Sequence, residues 1–284
     1  MKIWNRNHRN ASTSSTRPAP VELEHVHEAI AAARASTAVL GLGNRGEVES
    51  IDLDASHVLV AGGAGSGKSV LIRSMIGQHL AHGAEVVVLD PGKRTYRWAE
   101  VHPDVTAAVG ADDIHHQLVR VAQLLEEREE LPSGALRAVR RLVLVVEERN
   151  TIVEILRKFW AEARMPWSSK ESPAVKALFK LEAADPKMRI HLVTSSYRAP
   201  VLNANRPAYA TRIVSERLSE SAWHAIAPGV SRPLRGRTGR PGRFTVVTPG
   251  GAVALRALSL THEEALHLPA ALIAAERRTW GGAA

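Results

Sequence analysis

The sequence predicts an α/β fold, a mostly parallel sheet with helices on both faces. Three observations carry that expectation. Short apolar, β-branched runs alternate with segments of helical spacing along the chain. One such run, Val58-Leu59-Val60, leads straight into Gly62-Gly63-Ala64-Gly65-Ser66-Gly67-Lys68-Ser69, which satisfies G-x-x-x-x-G-K-[ST]. Another, Leu142 to Val146, ends in the acid pair Glu147-Glu148.

Taken in order, residues 1–20 are rich in Ser, Thr, Asn, Arg and Pro, with four basic and no acidic residues. They read as a disordered basic arm, able to touch phosphates or to do nothing specific. Residues 21–35 have the spacing of a helix, and Thr37–Leu42 and Val48–Leu53 that of two strands joined at Gly43–Gly46. This 21–55 stretch leads into the phosphate-loop strand. After Ser69, Val70, Leu71, Met75 and Leu80 recur at about helical spacing, and Gly83 is placed to end the helix. Glu85–Leu89 is the next strand. Asp90 just beyond it points toward a nucleotide or caps the following turn.

Residues 111–130 predict an amphipathic helix with Ile114, Leu118, Val121, Leu124 and Leu125 inward and the charged Glu126–Glu130 end in solvent. Residues 150–187 predict helices broken at Pro166–Ser169, with Trp160 and Trp167 read as core or interface packing rather than base-stacking platforms. Arg189–Thr194 is a strand that delivers Ser195-Ser196-Tyr197-Arg198 to a carboxyl edge, where open parallel sheets bind ligands. Between Gly229 and Arg243 lie Arg232, Arg235, Arg237, Arg240 and Arg243 without an acid. That loop is a phosphate-backbone contact or a basic loop without a partner. Phe244–Thr248 and Ala252–Leu258 predict a hairpin. A helix from about Thr261 to Arg278 closes the chain, with Thr261 and Glu264 spaced as a capping box.

Composition narrows the chemistry. With 284 residues and 45% apolar content the chain can bury a sizeable core. It has no cysteine, hence no disulfide and no thiolate metal site. It has no apolar run of about 18 residues and no apolar h-region at its start, so the expectation is a cytoplasmic protein. A net charge of +8 suits a polyanionic partner, or simply a solvated basic surface.

The chemistry suggested by the motifs is phosphate handling. Glycines let the backbone wrap a phosphate and turn N–H groups inward, and the helix start adds its positive dipole end. Lys68 would reach the β- and γ-phosphates and the Ser69 hydroxyl would hold Mg²⁺. Of the acids after Val146, Glu147 would support the metal and Glu148 would polarise the attacking water. No guanine-reading Asn/Thr-Lys-x-Asp is present.

The order of these pieces resembles the FtsK/SpoIIIE family of double-stranded DNA translocases. Ser56 to Val70 is similar to its extended phosphate loop, Val88-Leu89-Asp90-Pro91-Gly92-Lys93 to its second strand, and Leu142–Glu148 to its Walker B strand. His191-Leu192-Val193-Thr194-Ser195-Ser196-Tyr197-Arg198 resembles its sensor strand, and Thr211-Arg212-Ile213 and Thr261-His262-Glu263-Glu264 sit in family order. The resemblance spans roughly 38–268. It departs where Glu147 replaces the usual Asp and Tyr197 the usual Gln. It implies a RecA-like ATPase motor over 56–284, with ATP and Mg²⁺ on Gly62, Gly63, Ala64, Gly65, Ser66, Gly67, Lys68, Ser69 and Val70. It also implies a hexameric ring of identical subunits around duplex DNA and a cationic finger from the neighbouring subunit; with no membrane-spanning run expected, membrane recruitment is through a partner if at all. Arg212 and Arg198 are the candidates for that finger, with Arg206 behind them; Arg198 reads equally as a structural ion-pair partner. The alternatives are a genome-packaging, HerA-like or conjugative-coupling motor, or a weakly hydrolysing nucleotide-binding assembly module.

Overall fold

In the computed structural model, the residues described are 20–92, 95–132, 134–197, 209–233 and 240–268. The helices are α1 His27–Ala31, α2 Lys68–Ala81, α3 Ala111–Glu129, α4 Arg149–Ala163, α5 Pro173–Ala183 and α6 Glu220–Ile226, with a closing helix at 262–268. The strands are β1 Thr37–Leu42, β2 Val48–Asp52, β3 Val58–Ala61, β4 Glu85–Leu89, β5 Val105–Ala108, β6 Leu142–Val146, β7 Ile190–Ser196, β8 Thr211–Ser215, β9 Arg243–Thr248 and β10 Gly251–Ala257.

All strands join one ten-stranded sheet in the order β2-β1-β10-β9-β8-β3-β7-β6-β4-β5. From β8 to β5 every pairing is parallel; from β2 to β8 every pairing is antiparallel. Strands β3, β4 and β6 are buried on both faces, which explains their apolar runs. Their side chains alternate between two cores. Leu59, Val87, Leu89, Leu142, Leu144 and Val146 face α3, α4, α5 and α6. Val58, Val60, Val86, Val88, Val143 and Val145 face α2. Helices therefore cover both faces, and the mostly parallel α/β sheet expected from the sequence is the fold.

α2 is buried on two sides. Leu71, Ile72, Met75 and Ile76 pack on the sheet. On the other side Gln78 donates to the Val39 carbonyl (2.9 Å) and accepts from the Val39 N–H (2.8 Å). Ser74 bonds to the Leu258 carbonyl and Arg73 to that of Leu260. A Cβ at Gly77 would press on Ala265 of the closing helix, so glycine permits that approach. Gly83, at φ +74°, ends α2 with Gly83 N–H on Leu80 O and Ala84 N–H on His79 O.

The structure corrects several expectations. The helix over 21–35 is two short pieces, a 3₁₀ turn at Leu23–His25 and α1, because Val21 is extended in a bridge to Leu258. Strands β5 and β8 and helix α6 were not anticipated as elements. β5 is a short edge strand ending in two alanines, a poor β signal that pairing with β4 overrides. The charged end of α3 is not all solvated. Arg128 is buried and donates to the carbonyls of Met188, Arg189 and Arg140. Trp167 is 81% exposed and is not a core residue, whereas Trp160 stacks on His115 and donates to the Ser169 carbonyl. The Thr261–Glu264 capping box is formed in both directions. The arm at 1–19 and the chain from 269 onward lie outside the described residues.

Candidate functional site

β3, β7 and β6 are neighbours in the sheet, and their carboxyl ends bring together the loop 62–69, Ser195–Tyr197 and Glu147–Glu148. The phosphate loop needs glycine where the backbone turns left-handed, at Gly65 (φ +66°) and Gly67 (φ +97°). A Cβ at Gly63 would meet nothing within 4 Å, so one side of the loop is open. Among the described residues, the N–H groups of Gly65, Gly67, Lys68, Ser69 and Val70 have no acceptor. The Ser66 hydroxyl is buried and also unpartnered. A row of orphan donors at a helix start fits a polyphosphate.

Lys68 is buried and held from three directions. Its Nζ donates to the Gly62 carbonyl (2.6 Å), lies 3.6 Å from Glu148 Oε1, and sits 3.9 Å from the centre of the Tyr197 ring. Burial lowers its proton affinity, and the charges of Glu148 and Glu147 oppose that shift.

Glu147 is buried, with its Oε2 accepting from the Tyr96 hydroxyl (2.9 Å). Burial raises its pKa against that hydrogen bond. Glu148 caps α4 in the left-handed region at φ 55°, ψ 65°. Such a backbone costs about 1–3 kcal/mol for a non-glycine residue and persists only where neighbours fix it. Here the Glu148 N–H donates to Ser195 Oγ (2.9 Å), its carbonyl accepts from Ile152 N–H (3.1 Å), and its Oε2 accepts from the Tyr197 N–H (3.0 Å). Burial raises the Glu148 pKa, opposed by Lys68. Arg149, the next residue, forms a buried ion pair with Glu182, which also accepts from the Tyr209 hydroxyl (2.8 Å). That network pins the first turn of α4 and hence the Glu148 backbone.

Of the residues singled out from the sequence, Gly62, Gly63, Ala64, Gly65, Ser66, Gly67, Lys68, Ser69 and Val70 form the loop and first turn of α2 beside Glu147 and Glu148. Asp90 does not join them. Its carboxylate accepts from Gly92 and Thr95 N–H groups, the turn-capping role of the two considered. Arg212 staples α6 to β8 through the Tyr209 and Ile226 carbonyls (both 2.9 Å). Arg198, Arg206, Arg235 and Arg237 lie outside the described residues.

Three contributors were missed. Tyr96 supports Glu147 from a turn with no sequence signature. Arg217, just past β8, donates to the Gly65 carbonyl (2.6 Å). Recognising Thr211–Ser215 as the strand beside β3 would have placed Arg217 at this edge. Gly242 donates its N–H to the Ser66 carbonyl (2.8 Å), so the basic stretch 229–243 ends against the phosphate loop.

The sequence model of the FtsK/SpoIIIE family matches residues 26–142. No curated protein matches the chain. Among solved structures, the pCW3 conjugation coupling protein TcpA, in a monomer form with ATPγS, is 16% identical with a TM-score of 0.63, covering 88% of this chain and 73% of that one. The cytoplasmic domain of EssC is 13% identical with a TM-score of 0.65, over 86% of this chain and 48% of that one. Thermomonospora curvata EccC (ATPases 2 and 3), in complex with a signal sequence peptide, is 15% identical with a TM-score of 0.61. The coverage there is 80% of this chain and 41% of that one, so this chain spans less than half of the EccC and EssC chains. At such identities the likeness is one of fold. Among the described residues no helix is long and apolar enough to cross a membrane.

Proposed function

The chain carries an FtsK/SpoIIIE family P-loop ATPase domain, and from that premise we propose an ATP-driven double-stranded DNA translocase. The observation supporting the reading is the meeting of Lys68, Glu147 and Glu148 at one sheet edge, beside a loop of unpaired N–H donors, with a basic segment attached to that loop.

The triphosphate would lie along Gly62–Val70, with Lys68 exchanging the Gly62 carbonyl for phosphate oxygens. Ser69 and, through water, Glu147 would hold Mg²⁺, which neutralises charge on the phosphoryl oxygens when bound. Tyr96 keeps the Glu147 carboxylate fixed for that role. Glu148 would orient the attacking water, and its burial-raised proton affinity makes it the better acceptor for the water proton. A neighbouring subunit of a hexameric ring would supply a cation to the developing charge, with Arg212 and Arg198 as candidates. Arginines between 229 and 243 would grip the DNA backbone without reading sequence. The motor would work in the cytoplasm, meeting a membrane only through a partner if at all.

The test is ATPase rate with and without long duplex DNA, with Lys68→Ala as the blank. Stimulation by duplex that falls with salt and vanishes in the variant is the expected result. Turnover indifferent to DNA refutes the DNA motor. It would favour a second reading, a motor for protein cargo, which the likeness to EccC with its bound signal peptide supports. Nucleotide binding without turnover would favour a weakly hydrolysing assembly module.

A further inference from the structure

Tyr197 is the last described residue of the segment that follows β7, and it does two things at once. Its ring lies over the Lys68 ammonium, 3.9 Å from Nζ to the ring centre, and its N–H holds Glu148 Oε2 at 3.0 Å. The ring is 49% exposed, so it is not fixed by packing. A cavity of about 650 Å³ opens beside it, lined also by Glu148, Arg157, Phe179 and Ser196. The ring has somewhere to go when it leaves Lys68.

We infer that Tyr197 is a competing cap on Lys68, a ring that the phosphates of an incoming nucleotide must displace to reach the ammonium. The cation sits in the attractive field of the ring face, in a site screened from water. Phosphate oxygens compete for the same ammonium. Once they take it, the same event releases Lys68 from Glu148 and frees the ring. A nucleotide whose phosphates do not reach Lys68 leaves the cap in place and is indifferent to it. The cap thus weakens the binding of any nucleotide whose phosphates take Lys68, and removing it tightens that binding. This inference rests on Gly62–Val70 being a nucleotide site.

The experiment is a titration of the full chain with a fluorescent, non-hydrolysable ATP analogue and with the matching ADP analogue. Lys68→Ala is the blank, and Tyr197→Phe and Tyr197→Ala are the variants. Removing a cation–π partner should tighten ATP-analogue binding about fivefold in Tyr197→Ala, with Tyr197→Phe at the level of the parent. The Lys68 amine, uncovered in Tyr197→Ala without nucleotide, should acylate faster than in the parent. Tyr197 is half-exposed, and matching melting curves for the variants check that the fold is kept. Unchanged or weaker analogue binding in Tyr197→Ala, with parent binding intact and lost in Lys68→Ala, overturns the cap while leaving the nucleotide site standing. Failure of the parent to bind either analogue overturns the nucleotide site, and the cap with it.

Discussion

Lowering the pH from 8 to 5 should unfold this protein through three buried histidines. His57 precedes β3 and receives the Leu192 N–H on Nδ1, with Leu181 O at 3.0 Å from Nε2; Glu182 and Asp185 face it from α5 and the turn beyond. His191, on β7, lies 2.8 Å from an Arg141 nitrogen and 3.6 Å from Asp54. His79, on α2, faces His82, His191 and Arg141, and neither of its ring nitrogens makes a hydrogen bond of normal geometry. Burial, the largest cause in each, lowers His57 to about 4 and His79 and His191 to about 3. The unfolded chain titrates near 6.5 and so takes up protons first as pH falls. Each histidine then favours unfolding by about 2 kcal/mol at pH 5, or about 6 kcal/mol together. That is comparable to the whole stability of many domains. The loss begins below pH 6.5 and levels off only below the folded values. Glu147 and Glu148, raised in the folded state, oppose it toward the carboxylate range. The assay is urea unfolding at pH 7.5, 6.5, 5.5 and 5.0 for the parent and for His79→Met, which removes one titrating group from a fully buried site. The parent should take up about three protons on unfolding near pH 5.5, and His79→Met about one fewer. Proton uptake below one in the parent, or an unchanged slope in the variant, would refute the reasoning.

Four further outcomes can be checked directly. Gly41→Ala should cost about 2–4 kcal/mol in unfolding free energy, because φ is +144° and a Cβ would overlap the Arg256 carbonyl. Arg149→Ala should cost about 3–5 kcal/mol by stranding the buried Glu182, whereas a paired Arg149→Met, Glu182→Met change should recover most of that in thermal melts. Lys68→Ala should abolish nucleotide binding in calorimetry while leaving far-ultraviolet circular dichroism intact. Arg217→Ala, which frees the Gly65 carbonyl, should weaken nucleotide binding about three- to tenfold in the same calorimetry.

The sequence revealed most where one local rule decided the outcome. Glu85–Leu89 and Leu142–Val146 match their strands residue for residue, because strands buried on both faces leave apolar runs with sharp ends. The phosphate loop was legible because only glycine serves its left-handed positions. β8 was passed over because Thr211-Arg212-Ile213-Val214-Ser215 is short and begins polar, and only its place between β3 and β9 makes it a strand. With β8 unseen, Arg217 went unseen. Tyr96 and Gly242 reach the site from turns, where tertiary closure and not periodicity sets position. Arg128 sits in a run of glutamates, and burial of its guanidinium depends on three carbonyls that come from distant segments.

The backbone of Gly242 is bonded on both sides, its N–H to the Ser66 carbonyl and its carbonyl to the Ala257 N–H, 2.8 Å each. The tether runs through main-chain atoms, and the glycine makes it possible, because at φ +78° any side chain would strain the backbone. Whatever shift occurs in the phosphate loop is therefore carried by backbone to β10 and to the end of the basic stretch.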